Sequence, residues 1–216
     1  MDDGEPETWR TFVAVPLSDA VRASARELSD ALQSRPRGDR VRWLRPESYH
    51  VTLRFLGDVD RDALPALGSG LGRELASHAR FDARLAAVAG LPSTRQPRVV
   101  VLGLEPVESF AALAVSAERV LVAHGLEPLE PLETRSEGRR FRPHVTLGRV
   151  RDRAPSLAEA PVPSVVDFVV DEVVLYRSEL RPSGAVYTPL ERMPLAGRDH
   201  PSNDSLEEGQ DGQDSR

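Results

Sequence analysis

Apolar residues recur along this chain with two periods, and the switches between them mark the elements. Trp9–Leu17 (WRTFVAVPL) is a short apolar run closed by Pro16, which predicts a strand. Ser18 follows as a helix cap, and Val21, Ala25, Leu28 and Leu32 return at helical spacing as far as Pro36. Val41–Leu44 reads as extended, and Ser48–Leu56 (SYHVTLRFL) alternates as a half-buried strand does. A second helix opens at Asp60 or Asp62, with Leu64, Leu67, Leu71 and Leu75 on one face. Gly68, Gly70 and Gly72 each weaken it, by about 1 kcal/mol relative to Ala. Phe81–Leu91 and Arg98–Leu104 are predicted strands. Val107–Ala123 is the most regular helix, stopped by His124-Gly125 in the manner of a C-cap. A charged loop, Glu127–Arg140, leads to strands at Pro143–Val150, Val165–Tyr176 and Val186–Met193. Helices alternate with strands, some of them directly successive, which predicts an α+β or mixed fold of modest size rather than a long parallel series.

The order of elements repeats. Strand, helix, strand and a strand carrying His-Val-Thr-Leu occur within residues 9–57, and strand, helix and a strand carrying it again within 98–150. The two tetrapeptides, 50–53 and 144–147, are 94 residues apart. An internal duplication of this kind predicts two lobes, each supplying the same four residues to a shared cleft. Successive side chains of a strand face opposite ways. His50 and Thr52 therefore share one face and Val51 and Leu53 the other, and likewise His144 and Thr146 against Val145 and Leu147.

Composition narrows the class. Of the 216 residues none is Cys, which excludes a disulfide framework, a thiolate nucleophile and a Cys-based metal site. No apolar run approaches the roughly 18 residues of a membrane span, and the acidic start MDDGEPETWR is unlike a signal peptide. A cytoplasmic protein is expected, with no membrane partner. The overall charge is −6, yet residues 1–8 hold four acids and residues 197–216 hold a net −4, so residues 9–196 carry +2. Both ends are polar and aperiodic and read as disordered acidic extensions, 1–8 and 197–216, around one domain at 9–196. His200 falls in the second extension. All 28 basic residues are Arg, a side chain suited to bidentate contacts with phosphate.

Two imidazoles facing each other across a ligand make a general acid and a general base. Hydrolysis of a phosphodiester needs both: one proton leaves water and one reaches the departing alkoxide. Two hydroxyls, from Thr52 and Thr146, can donate to the oxygens of the bound anion. A cyclic 2′,3′-phosphodiester is strained and needs less help than a plain diester. The chain has no HxH, no HExxH and no dense carboxylate cluster, so neither a metal nor another cofactor is expected.

HVTLRFLG at 50–57 and RPHVTLGRV at 142–150 resemble the paired HxTx motifs of the two-histidine (2H) phosphoesterase superfamily, and within it the RNA 2′,3′-cyclic phosphodiesterases, also described as 2′-5′ RNA ligases. RWLRPESYHVTLRFLGDV, PRVVVLGL and VLYRSELRPSGAVYTPL extend the likeness over residues 9–195. The resemblance implies a bilobal, pseudo-twofold fold of two antiparallel-rich sheets around a central cleft, with helices outside. It implies opening of an RNA 2′,3′-cyclic phosphate end to a 2′-phosphomonoester, and reversible 2′-5′ ligation when an RNA 5′-hydroxyl takes the place of water. It makes His50 the proton donor, His144 the proton acceptor, and Thr52 and Thr146 the phosphate ligands. By their symmetry, the two motifs themselves leave the donor and acceptor interchangeable. The strand at 99–102 departs from the family in carrying only Val and Leu.

Several neighbours are candidates for phosphate or RNA contact. Arg54 has the parity of His50. Arg149 has the opposite parity to His144 and reaches the cleft only where the strand bulges or ends at Gly148. Arg142 shares the parity of His144, and Arg135, Arg139 and Arg140 lie in the adjoining loop. Phe55 is assigned to the core with Val51 and Leu53. Tyr176 and Tyr187 are core residues or base-stacking platforms. His78 and His124 read as capping or surface residues, and GSGLG at 68–72 lies inside a helix pattern, not a nucleotide loop. A monomer is expected, since one chain completes the site. Two rival readings are a phosphodiesterase for a small cyclic nucleotide or an ADP-ribose cyclic phosphate, and a module that binds a nucleotide or RNA end without turnover.

Overall fold

A computed structural model describes residues 7–126, 141–158, 160, 163, 167–182 and 184–197. His200, the loop arginines Arg135, Arg139 and Arg140, and most of both acidic extensions lie outside the described residues. In chain order the elements are β1 (Thr8–Pro16), α1 (Asp19–Gln33), β2 (Val41–Trp43), β3 (His50–Asp60), α2 (Leu64–Leu75), β4 (Phe81–Leu91), β5 (Val99–Glu105), α3 (Val107–Ala123), β6 (His144–Val150), β7 (Asp167–Val170), β8 (Glu172–Arg181) and β9 (Gly184–Pro194). β1 includes Thr8, and Glu7 accepts from Trp9 Nε1 and Arg61, so two residues of the expected acidic extension are tied to the sheet.

The fold is α+β, and its strands pair antiparallel in the order β7-β4-β5-β6-β3-β1-β8-β9, with β2 beside β6. The motif strands β3 and β6 are central neighbours, and β1-α1-β3 and β5-α3-β6 repeat one arrangement on either side of the seam between them. One residue couple, Val51 opposite Val145, joins β3 to β6 and makes one continuous path of the two expected sheets. The run expected as one strand, 165–176, divides at Asp171: β7 pairs with β4 in one half and β8 with β1 in the other. Val170 and Glu172 are two residues apart yet belong to distant places in the sheet order, so the sheet curls until its ends meet. That corner is laced by Leu195 N–H to Asp171 O (2.8 Å) and Ala196 N–H to His78 O (2.8 Å).

The helices pack where the sequence periodicity put their apolar faces. Ser18 caps α1, its Oγ accepting from Val21 N, and Val21, Ala25, Leu28 and Leu32 are all buried. His124 ends α3 and Gly125 follows at φ +73°, the left-handed cap that glycine adopts without strain. Val13, Val15, Val51, Leu53, Val100, Leu102, Val145, Leu147, Val173 and Leu175 form the sheet side of the core against these helices. Gly70 has a packing role that propensity does not foresee: a Cβ there would stand 2.7 Å from His124 Cε1, so glycine lets α2 and α3 approach. His124 Nδ1 donates to Val120 O (2.9 Å), as a capping residue does, whereas His78 bonds Ser116 Oγ on α3 (2.8 Å).

Candidate active site

Val51 and Val145 are buried toward the helices, so the couple that joins β3 to β6 turns His50, Thr52, His144 and Thr146 to the opposite face. Antiparallel pairing about that couple sets His50 level with Thr146 and Thr52 level with His144. Each ring is then fixed by main chain two residues upstream. His144 Nδ1–H donates to the Arg142 carbonyl (2.7 Å), leaving the lone pair of the neutral ring on Nε2. The Ser48 carbonyl likewise accepts from the His50 ring. His50 Nε2 stands 3.1 Å from Thr52 Oγ1, so that nitrogen accepts from the hydroxyl when the ring is neutral.

Both motif strands carry one extra residue at the last position of the tetrapeptide, Leu53 in β3 and Leu147 in β6. Against β1, β3 shifts register between the couples Ala14–Thr52 and Val13–Arg54, and β6 shifts against β5 between Val101–Thr146 and Val100–Gly148. A bulge of this kind reverses the alternation beyond it. Two expectations change as a result. Arg54 does not share the face of His50: its guanidinium is buried, 4% exposed, and pairs with Glu118 of α3 on the helix side. Phe55 does not join the core: it is 51% exposed and lies against Phe12 with ring centroids 5.9 Å apart. Arg149 gains what Arg54 loses. The bulge at Leu147–Gly148 turns it to the face of His144, and its charge is felt at Tyr187. Arg142 is brought to the site through its carbonyl, with its side chain exposed.

An aromatic wall surrounds His50. Phe12 lies 4.8 Å from its ring, Tyr187 meets it edge-on at 5.1 Å and 90°, and Tyr176 stacks on Phe12 at 5.2 Å. Burial in this wall holds the His50 pKa down to about 4, and the charge of His144 acts in the same direction. Burial also raises both tyrosine pKa values, against which Arg149 and Arg10 act at Tyr187. Phe12 and Arg10 escaped the sequence reading. The signal was present, because β1 alternation puts Arg10, Phe12 and Ala14 on one face, but an apolar strand gives no reason to prefer that face.

The depressed His50 pKa links to folding. An open-chain His titrates near 6.5, so between that pH and about 4 the unfolded chain binds a proton the folded chain does not. Stability is therefore expected to fall as pH drops through this window, by about 2 kcal/mol between pH 7 and pH 5. Urea unfolding at the two pH values checks it: His50→Gln should remove that share of the slope, while an equal slope in variant and wild type would contradict it.

The chain has counterparts among known proteins. RNA 2′,3′-cyclic phosphodiesterase of Methanothermobacter thermautotrophicus is 33% identical over 188 residues, 84% of this chain and 96% of that protein. The protein of the same name from Thermus thermophilus is 36% identical over 195 residues, 87% of this chain and 91% of its own length. Among solved structures, TT0787 of Thermus thermophilus superposes with a TM-score of 0.70 at 33% identity, covering 88% of this chain and 99% of that one. E. coli LigT complexed with 3′-AMP superposes at 0.69 with 27% identity, again over 88% and 99%. The pattern of one family spans both motif strands and everything between them, from residue 17 to residue 182, and the chain belongs to that family, the 2′-5′ RNA ligase superfamily.

Proposed function

We propose that this chain hydrolyses RNA ends carrying a 2′,3′-cyclic phosphate to 2′-phosphomonoesters, acting as a monomer and without a metal. The observation that carries the reading is the pair of ring-locked histidines, His50 and His144, level with two threonines on one face of the sheet. The names of the relatives and the 3′-AMP complex of LigT support it.

In the proposed reaction Nε2 of His144 takes a proton from water as the water oxygen bonds to phosphorus. The bond from phosphorus to O3′ breaks, and His50 delivers a proton to that oxygen. Thr52 and Thr146 donate to the non-bridging oxygens, and Arg149 balances their charge. His50 is neutral near pH 7 in the free protein, so its donor role draws on the bound phosphodiester, whose negative charge favours the protonated ring. With an RNA 5′-hydroxyl in place of water, the same groups form a 2′-5′ linkage, and the reverse of that step cleaves it.

The test is product analysis on a short RNA ending in a 2′,3′-cyclic phosphate, with EDTA present. A 2′-phosphate is the expected product. A 3′-phosphate would reverse which ribose oxygen departs, and turnover of a small cyclic nucleotide without turnover of RNA would favour the smaller substrate. Binding with no turnover of either would leave a binding module.

A further inference from the structure

Beyond the Val51–Val145 couple, β3 leaves β6 and β2 takes the place beside it, pairing Val41 with Val150, Arg42 with Arg149 and Trp43 with Gly148. β2 is tied down firmly for a three-residue strand. Leu44 N–H donates to Leu147 O (2.8 Å), Arg151 N–H to Arg40 O (2.9 Å) and Trp43 Nε1–H to Gly38 O (2.9 Å). Gly148 makes room for it. A Cβ there would stand 2.5 Å from Val41 Cγ1, 3.1 Å from Trp43 Cε3 and 3.2 Å from the Arg42 carbonyl. In the first motif the matching position is Arg54, whose side chain goes to Glu118 instead.

The consequence is a like-charge couple. Directly opposed residues of an antiparallel pair share a face, with Cβ atoms about 5 Å apart, and two cations so placed repel. Arg42 and Arg149 are both exposed, and among the described residues neither pairs with a carboxylate. Their shared face is that of His144 and Thr146, with Arg42 one strand further out. In the proposed reaction Arg149 and the threonines already match the single charge of the cyclic phosphate. A second cation beside the first calls for a second anion, and a cyclic mononucleotide with a free 5′-hydroxyl has none. An RNA end supplies one, in the next linkage of its backbone.

We propose that Arg42 holds the internucleotide phosphate on the 5′ side of the terminal nucleotide, so that the chain prefers an RNA end to a cyclic mononucleotide. The inference rests on the proposed function and deepens it. The experiment compares uridine 2′,3′-cyclic phosphate with UpU ending in the same cyclic phosphate. Arg42→Ala should lower kcat/KM on the dinucleotide about ten-fold, mostly through KM, and leave the mononucleotide within about two-fold. The salt dependence on the dinucleotide should lose about 0.7 in log–log slope. Arg42→Lys should keep most of the preference, and Arg42→Ala should melt no lower than wild type because a repulsion is relieved.

Equal losses on both substrates would assign Arg42 to the scissile phosphate, and no loss on either would leave it a solvated charge. Each outcome overturns the proposal. If wild type turns over neither substrate, the proposed function fails, and Arg42 is then judged by binding alone. Tighter binding of UpU 2′-phosphate than of uridine 2′-phosphate, lost in Arg42→Ala, supports it; equal affinities refute it.

Discussion

Alanine at His144 is expected to slow opening of an RNA 2′,3′-cyclic phosphate by about 10²–10⁴-fold, and alanine at His50 by a similar factor. The loss should fall in kcat, since neither ring supplies much of the ground-state grip on the phosphate, which comes from Thr52, Thr146 and Arg149 in the proposed complex. Steady-state kinetics on a cyclic-phosphate RNA measures it. The pH dependence separates the two rings further. kcat/KM reports the free protein and kcat the complex. A limb near pH 4, set by His50, is expected in kcat/KM and should move toward neutrality in kcat, as the bound anion favours the charged ring. His50→Gln should have no such limb. A His50 variant with wild-type kcat would remove this ring from the chemistry.

The second large effect is in stability. Glu118→Ala removes the carboxylate, 64 residues away, that pairs with the buried Arg54 side chain, 4% exposed. Removing one member of a buried ion pair costs about 3–5 kcal/mol. Because Glu118 is 15% exposed, the lower end, about 3 kcal/mol, is expected in urea unfolding at pH 7. Arg54→Met, which keeps the volume and removes the charge, should cost less. Both variants should keep kcat/KM within about three-fold at temperatures where they are folded. The opposite pattern, unchanged stability with a large rise in KM, would return Arg54 to the phosphate.

Arg54 marks where the sequence stopped being legible. The repeated tetrapeptide told which side chains share a face, because alternation in a strand is local and rigid: His50 with Thr52 and His144 with Thr146 needed no partner strand to be placed. The bulges behind them are set by register against β1 and β5, and no hydrophobic pattern within β3 records it. Arg54 and Phe55 therefore exchanged sides. Gly148 was the one local hint, and it was tied correctly to a change of face for Arg149, yet its reason, the close approach of β2, lies more than 100 residues back in the chain. The aromatic wall was hidden for the same cause. Phe12, Tyr176 and Tyr187 come from three strands, and only their assembly turns ordinary strand aromatics into the surroundings of one imidazole. The division at Asp171 is likewise a property of the curled sheet, not of the run of valines that crosses it.

The paired bulges have one more consequence. A site with true twofold symmetry would hold a phosphodiester equally well in either sense, and could not choose between two ribose oxygens. Five residues past each histidine the two halves part company: one presents Phe55, the other Arg149. An apolar bank then faces a cationic one across identical machinery. In the proposed complex a nucleotide, flat and greasy at its base and charged along its backbone, would match that polarity in a single orientation. The duplicated scaffold thereby acquires a sense of direction, to which the unequal side chains behind the two histidines contribute.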